Sequence, residues 1–440
     1  MRSACLAVTE NKEAHTAQNY RGNVDEVLED FKIKEKVVKT VTDNENKMRA
    51  AFNDDERSGC LAHIIHNSVT EGIKQTPEIK DVIEKNRKIA TKYHKSYAFK
   101  YNVEEEQKKS GLPVRAILQD VPTRWGSTRA STGSFLDKEE NDEEEVRKSD
   151  VFREQYKNMD AINSALRKIK YKGDQKLSQY LLTEEDMARI ATVNRFLTKL
   201  DIFSTTLGGD KYVTSSVLMP VIASMKKMMQ EESSDPVYIA RMKRVILEDF
   251  NRRVAKNIDT DFFLSATALD PRWKDLKMIK RNERDLVFAK IQREMSSLEK
   301  SNPAVEEAEV KNKPKRRLLD FDESDSDEES NEEDSVEAEL KRFVKNKNIS
   351  SSSIVSFSPG RFRNEPSLDK DKDPLEWWKS RKAVFPTLAT LARKYFCVPA
   401  TSTQAERVFS WMGFLLNKRR LCLSGDSVNM QLFLKDNIEL

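Results

Sequence analysis

The sequence predicts an α/β segment joined to a much larger helical body, and three observations predict it. Met1–Phe52 alternates short apolar runs with helix-like periodicity, a strand–helix–strand–helix signal. From Arg153 to about Ser301 the apolar residues recur at helical spacing. Glycine is scarce, 12 residues in 440, as suits a mainly helical chain.

In the first segment, Ser3–Val8 reads as a strand, and Val24, Val27, Leu28 and Phe31 mark one face of a helix. Lys36–Thr42, with Val37, Val38 and Val41, reads as a second strand ending at Asp43. Such strand ends are where α/β folds place site residues. Met48–Phe52 begins another helix. Next comes Cys60-Leu61-Ala62-His63, with His66 beyond. That spacing offers zinc ligands, but a structural zinc site takes four and no second pair lies nearby in sequence. The expectation here is a buried cysteine beside a hydrogen-bonded histidine.

Glu71–Gln119 reads as helix, broken near Gly111-Leu112-Pro113. Val121–Thr128 is loop-like, and by residue type its Trp125 reads as an aromatic core anchor. Asp137–Glu145 is an acidic, solvated run. Ile190, Val193, Phe196, Leu197 and Leu200 form one helix face, and Val217–Met229 forms a methionine-rich one. At Asp270-Pro271 the residues suit the cap and first turn of a helix.

Asn302–Lys372 differs in kind. A basic cluster, Lys311–Arg317, resembles a nuclear-import signal. The acidic block Asp320–Asp334 follows, where like charges cannot collapse into a core, so a disordered linker is expected. Ser324, Ser326 and Ser330 each precede an acid by three residues and suit acidophilic kinases.

The C-terminal end returns to strong helical signals. Pro386 opens a segment whose Leu388, Leu391, Ala392 and Tyr395 share a face. Thr403 and Glu406 have capping-box spacing. Ala405, Val408, Met412 and Leu415 then fall on one face, beside a stripe containing Glu406, Ser410, Gly413 and Asn417. Asp426 suits the cap of a last helix rich in large apolar residues, which need another part of the chain or another subunit to cover them.

Composition bounds the function. Charged residues are 34% and apolar residues 38%, and no apolar run approaches the roughly 20 residues that span a bilayer. Met1–Tyr20 lacks the apolar core of a signal peptide. Four widely separated cysteines imply no disulfide framework and suit a reducing compartment. A net charge of +4 hides the acidic linker, so the remainder is more basic than that value suggests. This is compatible with a DNA-facing surface.

Several motifs occur in a recognisable order. Asp373-Pro374-Leu375-Glu376-Trp377-Trp378 is followed by Phe385-Pro386-Thr387-Leu388-Ala389. Then come Val398-Pro399-Ala400-Thr401-Ser402 and Glu406-Arg407-Val408-Phe409-Ser410. Together they resemble the C-terminal dimerisation region of hAT-superfamily DNA transposases, especially their relatives the zinc finger BED domain-containing proteins. Val41-Thr42-Asp43-Asn44, the Cys60–His63 pair, Arg124-Trp125 and Leu269-Asp270-Pro271-Arg272 extend the resemblance upstream.

The resemblance implies a split RNase H-like domain interrupted by a large helical insertion. On that reading, 1–69 is its first part and 70–301 the insertion. Residues 302–372 are then a linker, and 373–440 complete the domain and dimerise. It makes Asp43 and Glu406 two of three catalytic carboxylates, which in the family hold two magnesium or manganese ions for in-line attack on a phosphodiester. The family's first Asp is expected upstream of the strand matching Ser3–Val8, where this chain does not reach, and no BED finger is visible. Arg124 and Trp125 are implied to lie near DNA. Trp377, Trp378, Phe409, Leu415, Leu432 and Phe433 are the expected dimer residues. The resulting expectation is a nuclear, homodimeric, non-catalytic transposase-derived protein without a resident cofactor, associated with DNA and nuclear proteins. The alternative is an active hAT-type transposase.

Overall fold

The computed structural model describes residues 4–8, 14–53, 56–121, 125–136, 156–169, 179–301, 359–415 and 425–437. It divides into two compact units. One combines Met1–Thr260 with Val398–Leu440, and the other is Asp261–Cys397. These units part at 260/261 and 397/398.

The first unit opens with α1 (Ala17–Asp30), β1 (Thr40–Thr42), α2 (Asn46–Ala51) and β2 (Arg57–Gly59). Thr16 caps α1 by accepting from the Asn19 amide. The two strands pair in parallel, with Thr40 opposite Arg57 and Thr42 opposite Gly59. They are the only strands among the described residues. The strand expected over Lys36–Thr42 is therefore three residues long. The strand expected at Ser3–Val8 is not formed over residues 4–8. Its backbone finds side-chain partners instead. Cys5 N donates to Asn437 Oδ1 at 3.1 Å, Asn437 Nδ2 donates to Cys5 O at 2.7 Å, and Val8 N donates to Asn429 Oδ1 at 2.9 Å. With those groups satisfied, the segment needs no neighbouring strand.

The helical body follows as α3 (Leu61–Lys74), α4 (Pro77–Lys95), α5 (Tyr97–Lys109), α6 (Trp125–Gly133), α7 (Lys157–Arg167), α8 (Glu184–Leu207), α9 (Leu218–Met228) and α10 (Val237–Asn257). A full capping box starts α8: Thr183 and Asp186 each accept from the other's backbone amide. Val82, Ile89, Phe99, Phe135, Ile162 and Ile190 are buried together, so one core joins α4, α5, α7 and α8. Elsewhere α3 lies closely against α10. A Cβ at Gly72 would stand 2.4 Å from Ile246 Cγ1, so a larger residue forces the helices apart. Ser68 Oγ donates to the buried Asp249 carboxylate across the same contact, at 3.0 Å.

The second unit contains α11 (Thr260–Leu269), α12 (Arg281–Ser301), α13 (Pro359–Asn364), α14 (Pro374–Arg381) and α15 (Pro386–Phe396). Asp373 caps α14, accepting from Leu375 N at 2.8 Å, and Pro374 fills its first position. Asp270 behaves differently from expectation, because a run of turns and not a helix follows it. It is fully buried and clamps Arg272 by backbone and guanidinium hydrogen bonds of 2.7–3.2 Å. Phe362, Trp377, Trp378 and Phe385 form an aromatic cluster, with the Phe362 and Trp378 rings stacked at 5.3 Å. Trp378 Nε1 donates to Leu269 O at 3.0 Å.

The chain then returns to the first unit as a strap, Val398–Ser402, followed by α16 (Thr403–Leu415) and α17 (Gly425–Asn437). Thr403 is already helical, so it does not serve as the expected cap; Ser402 precedes the helix. Likewise α17 begins at Gly425, one residue before the expected cap Asp426. No helix among the described residues is long and apolar enough to cross a membrane. The acidic run 137–145, the linker and its three serines lie outside the described residues.

Candidate functional site

The site lies in the first unit, where the end of β1, the start of α3 and the start of α16 meet. Arg57 organises the strand end. It is only 2% exposed, and its guanidinium donates to Thr42 Oγ1 (2.7 Å), Asp43 O (2.5 Å) and Asn44 Oδ1 (3.4 Å). Burying an arginine is costly unless its donors are satisfied. Here they bind the loop that carries Asp43. The carboxylate of Asp43 accepts from Glu45 N at 3.2 Å, closing a local turn. Asn44 Nδ2 donates to Cys60 O at 3.1 Å. A Cβ at Gly59 would stand 2.0 Å from Asn44 Oδ1 and 3.1 Å from the Asn257 carbonyl, so β2 admits glycine alone here.

Cys60 stands just before α3 and is completely buried. Its amide donates to Thr42 O at 2.8 Å, and the next amide, Leu61 N, reaches Ala400 O at 3.4 Å. The strap is fixed from its other side. Ala400 N donates to Thr214 Oγ1 at 3.0 Å, and Thr401 Oγ1 donates to Leu207 O at 3.2 Å. Ser402 N then donates to Cys60 Sγ at 3.3 Å. These contacts set the first turn of α16, where Ser402 Oγ donates to Glu406 Oε1 at 3.3 Å. Glu406 is half exposed, and its Oε1 lies 3.5 Å from His63 Nδ1. That spacing is an ion-pair contact, longer than a good hydrogen bond.

Electrostatics couple the four groups. A hydrogen bond with Cys60 is the largest cause raising His63, to about 9; burial opposes it, and the charges of Cys60, Glu406 and Asp43 add to it. Burial pushes the Cys60 thiol up, but hydrogen bonds from His63 and Ser402 outweigh it and leave the thiol below its ordinary value. The arrangement therefore sets a thiol that gives up its proton more readily than usual beside a histidine that holds its own to about 9. Cysteine beside histidine is as expected; the coupling of their protons is an addition.

Asp43 and Glu406, chosen from distant motifs, thus both act on His63. They do not join in one ligand set. The donor atoms that converge within 4.8 Å of one another are those of Cys60, His63 and Glu406, the only such group of three among the described residues. Magnesium takes oxygen ligands and near-octahedral geometry. A sulfur, a ring nitrogen carrying a proton and one carboxylate do not fit a pair of hard cations. His63 was not a sequence candidate for the catalytic set; the Cys-x-x-His spacing was the signal for it.

The other expected site residues are dispersed. Arg124 and the side chain of Trp125 lie outside the described residues, although Trp125 begins α6. Trp378 is buried in the second unit and Trp377 is half-buried beside it. Leu432 is buried within the first unit, Phe433 is half-buried and Phe409 is exposed. The Leu415 side chain lies outside the described residues.

The structure is that of a helical protein carrying a hAT-type assembly region: residues 359–438 match the hAT family C-terminal dimerisation region. Over 375 residues, 84% of its length, the chain is 24% identical to human zinc finger BED domain-containing protein 4. The match spans 28% of that relative. The chain thus carries a hAT-type dimerisation region and is similar, over most of its length, to a BED domain-containing protein.

Proposed function

We propose that the chain is a nuclear, homodimeric, non-catalytic, transposase-derived protein of the hAT, BED-related type that acts through protein contacts and DNA association as a regulator of transcription. One observation carries the dimer: on α16 and α17, Phe409 (55%), Trp411 (43%), Met430 (59%) and Leu434 (51%) are each exposed within the matched region. Four large apolar side chains left exposed on two helices support an interaction role for them. Trp378 and Leu432 support the chain's own folding, and the face is taken from the exposed residues. The non-catalytic reading rests on the donor set, in which an imidazolium stands beside both carboxylates. The parallel β1–α2–β2 unit, followed by α3 and met by the returning strap, supports a split RNase H-like domain with a helical insertion. The nuclear and DNA assignments rest on the kinship and on Lys311–Arg317.

Sedimentation equilibrium of the full chain is the test. A concentration-dependent dimer, lost in Phe409→Asp, is expected. A monomer at micromolar concentration would overturn the reading. One observation favours a rival, an active hAT-type transposase: the charges of Asp43 and Glu406 both act on His63. Metal-dependent nicking of DNA, abolished by Asp43→Asn and by Glu406→Gln, would establish it.

A further inference from the structure

We propose that Cys60, His63 and Glu406 bind a single zinc ion, which fastens the start of α16 to the start of α3. The inference goes beyond the proposed function and is independent of dimerisation. Three observations carry it. First, the three donor atoms lie within 4.8 Å of one another. Ligands around one tetrahedral zinc, with bonds of about 2.0–2.3 Å, stand roughly 3.5 Å apart. Rotation of the half-exposed Glu406 side chain closes the difference and gives the ion an entry path.

Second, the sulfur is prepared for a metal. Cys60 is fully buried, and the Ser402 amide donates to its Sγ at 3.3 Å. An N–H donor of this kind orients a thiolate and balances its charge when it ligates a metal. Third, the buried His63 Nδ1 makes no hydrogen bond of ordinary length and angle, and the Glu406 oxygen it faces stands 3.5 Å away. A ring nitrogen in that state is costly unless it gains a ligand.

The donor set selects the ion. Thiolate and imidazole suit zinc, whereas magnesium and calcium require oxygen. On binding, zinc takes the sulfur and nitrogen lone pairs and displaces whatever protons they carry, so affinity rises with pH. Three protein ligands leave a fourth position for water. Mechanically, the ion would join two helices that are far apart in sequence and hold in place the helix carrying Phe409 and Trp411.

The test is titration of the chelator-treated, reduced full chain with Co2+. One equivalent should give a thiolate-to-cobalt charge-transfer band and tetrahedral d–d absorption, both removed by Zn2+. Glu406→Ala, at an exposed position, should weaken Co2+ binding at least about tenfold while circular dichroism stays unchanged. A variant with Cys5, Cys397 and Cys422 all changed to alanine should keep the band, because its sulfur comes from Cys60. Absence of the band in the folded wild-type chain would overturn the proposal, as would its loss in the triple variant or unchanged affinity in Glu406→Ala. Retention of the band by Cys60→Ala would assign the cobalt to another sulfur and equally overturn it.

Discussion

The two halves of the matched dimerisation region use their aromatic residues in opposite ways. Residues 359–397, in the second unit, turn them inward: Phe362, Trp378 and Phe385 are all buried, and the Trp378 indole is hydrogen-bonded to Leu269 O. Residues 398–437, in the first unit, leave Phe409 and Trp411 exposed. A family match covers both halves equally, yet the energetics differ. In the first half an aromatic is a folding residue. In the second it is a residue with surface still to bury, and the site at Cys60 and His63 anchors the helix that presents it.

The sharpest way to break this comparison is to remove the buried indole. Trp378→Ala should destabilise the second unit by about 3–5 kcal/mol, read as loss of its unfolding transition in denaturant. Trp378→Phe separates packing from hydrogen bonding. It keeps a ring but leaves the buried Leu269 carbonyl unpaired, at about 1–3 kcal/mol. A Trp378→Ala chain of wild-type stability would place that residue on a surface and erase the contrast.

The exposed half should respond in the other sense. Phe409→Asp combined with Trp411→Asp should weaken dimerisation by about 2 kcal/mol or more, roughly 30-fold, in sedimentation equilibrium. Monomer unfolding should move by no more than about 0.5 kcal/mol. Equal losses in both measurements would show that these side chains serve the fold. Thr401→Val tests the strap between the two halves. It preserves shape but leaves the buried Leu207 carbonyl without its hydroxyl donor, a loss of about 1 kcal/mol. Unchanged unfolding would show that Ala400 alone fixes the strap.

Much of the fold was legible because helical periodicity is local. Leu388, Leu391, Ala392 and Tyr395 share the buried face assigned to them. What was missed depended on distant partners. Arg57-Ser58-Gly59 has no strand-forming side chain, and it becomes β2 because Thr40–Thr42 lies beside it and acceptors upstream satisfy the buried Arg57. Ser3–Val8 is apolar enough for a strand, but asparagines of α17 supply its hydrogen bonds. At Trp377-Trp378 the sequence shows two adjacent aromatics. A helix turns about 100° between them, so one is buried while its neighbour is half-exposed. At the site, Asp43 was legible as a strand-end carboxylate. Glu406 was placed by resemblance, and its approach to His63 is a tertiary fact that no local spacing encodes.

The smallest expected effect concerns protons, in the metal-free chain. His63 is raised from 6.5 to about 9, so its contribution to stability is complete below 6.5 and is lost as pH rises through about 9. Cys60 acts oppositely. Its value is depressed from 9.0, so its contribution is present above 9.0 and is lost as pH falls through the lowered value. The two contributions run in opposite directions with pH and offset each other in the unfolding free energy. The pairing is therefore seen by site, in an NMR titration of the histidine rings. His63 should stay protonated to about 9 in the wild-type chain. In Cys60→Ala it should fall back toward 6.5, because the largest cause of its shift is gone. Asp43→Asn and Glu406→Gln should each lower it less, since their charges act after the Cys60 hydrogen bond. A wild-type His63 titrating near 6.5 would mean that the protons of Cys60 and His63 are not coupled and that α16 is anchored by the strap alone.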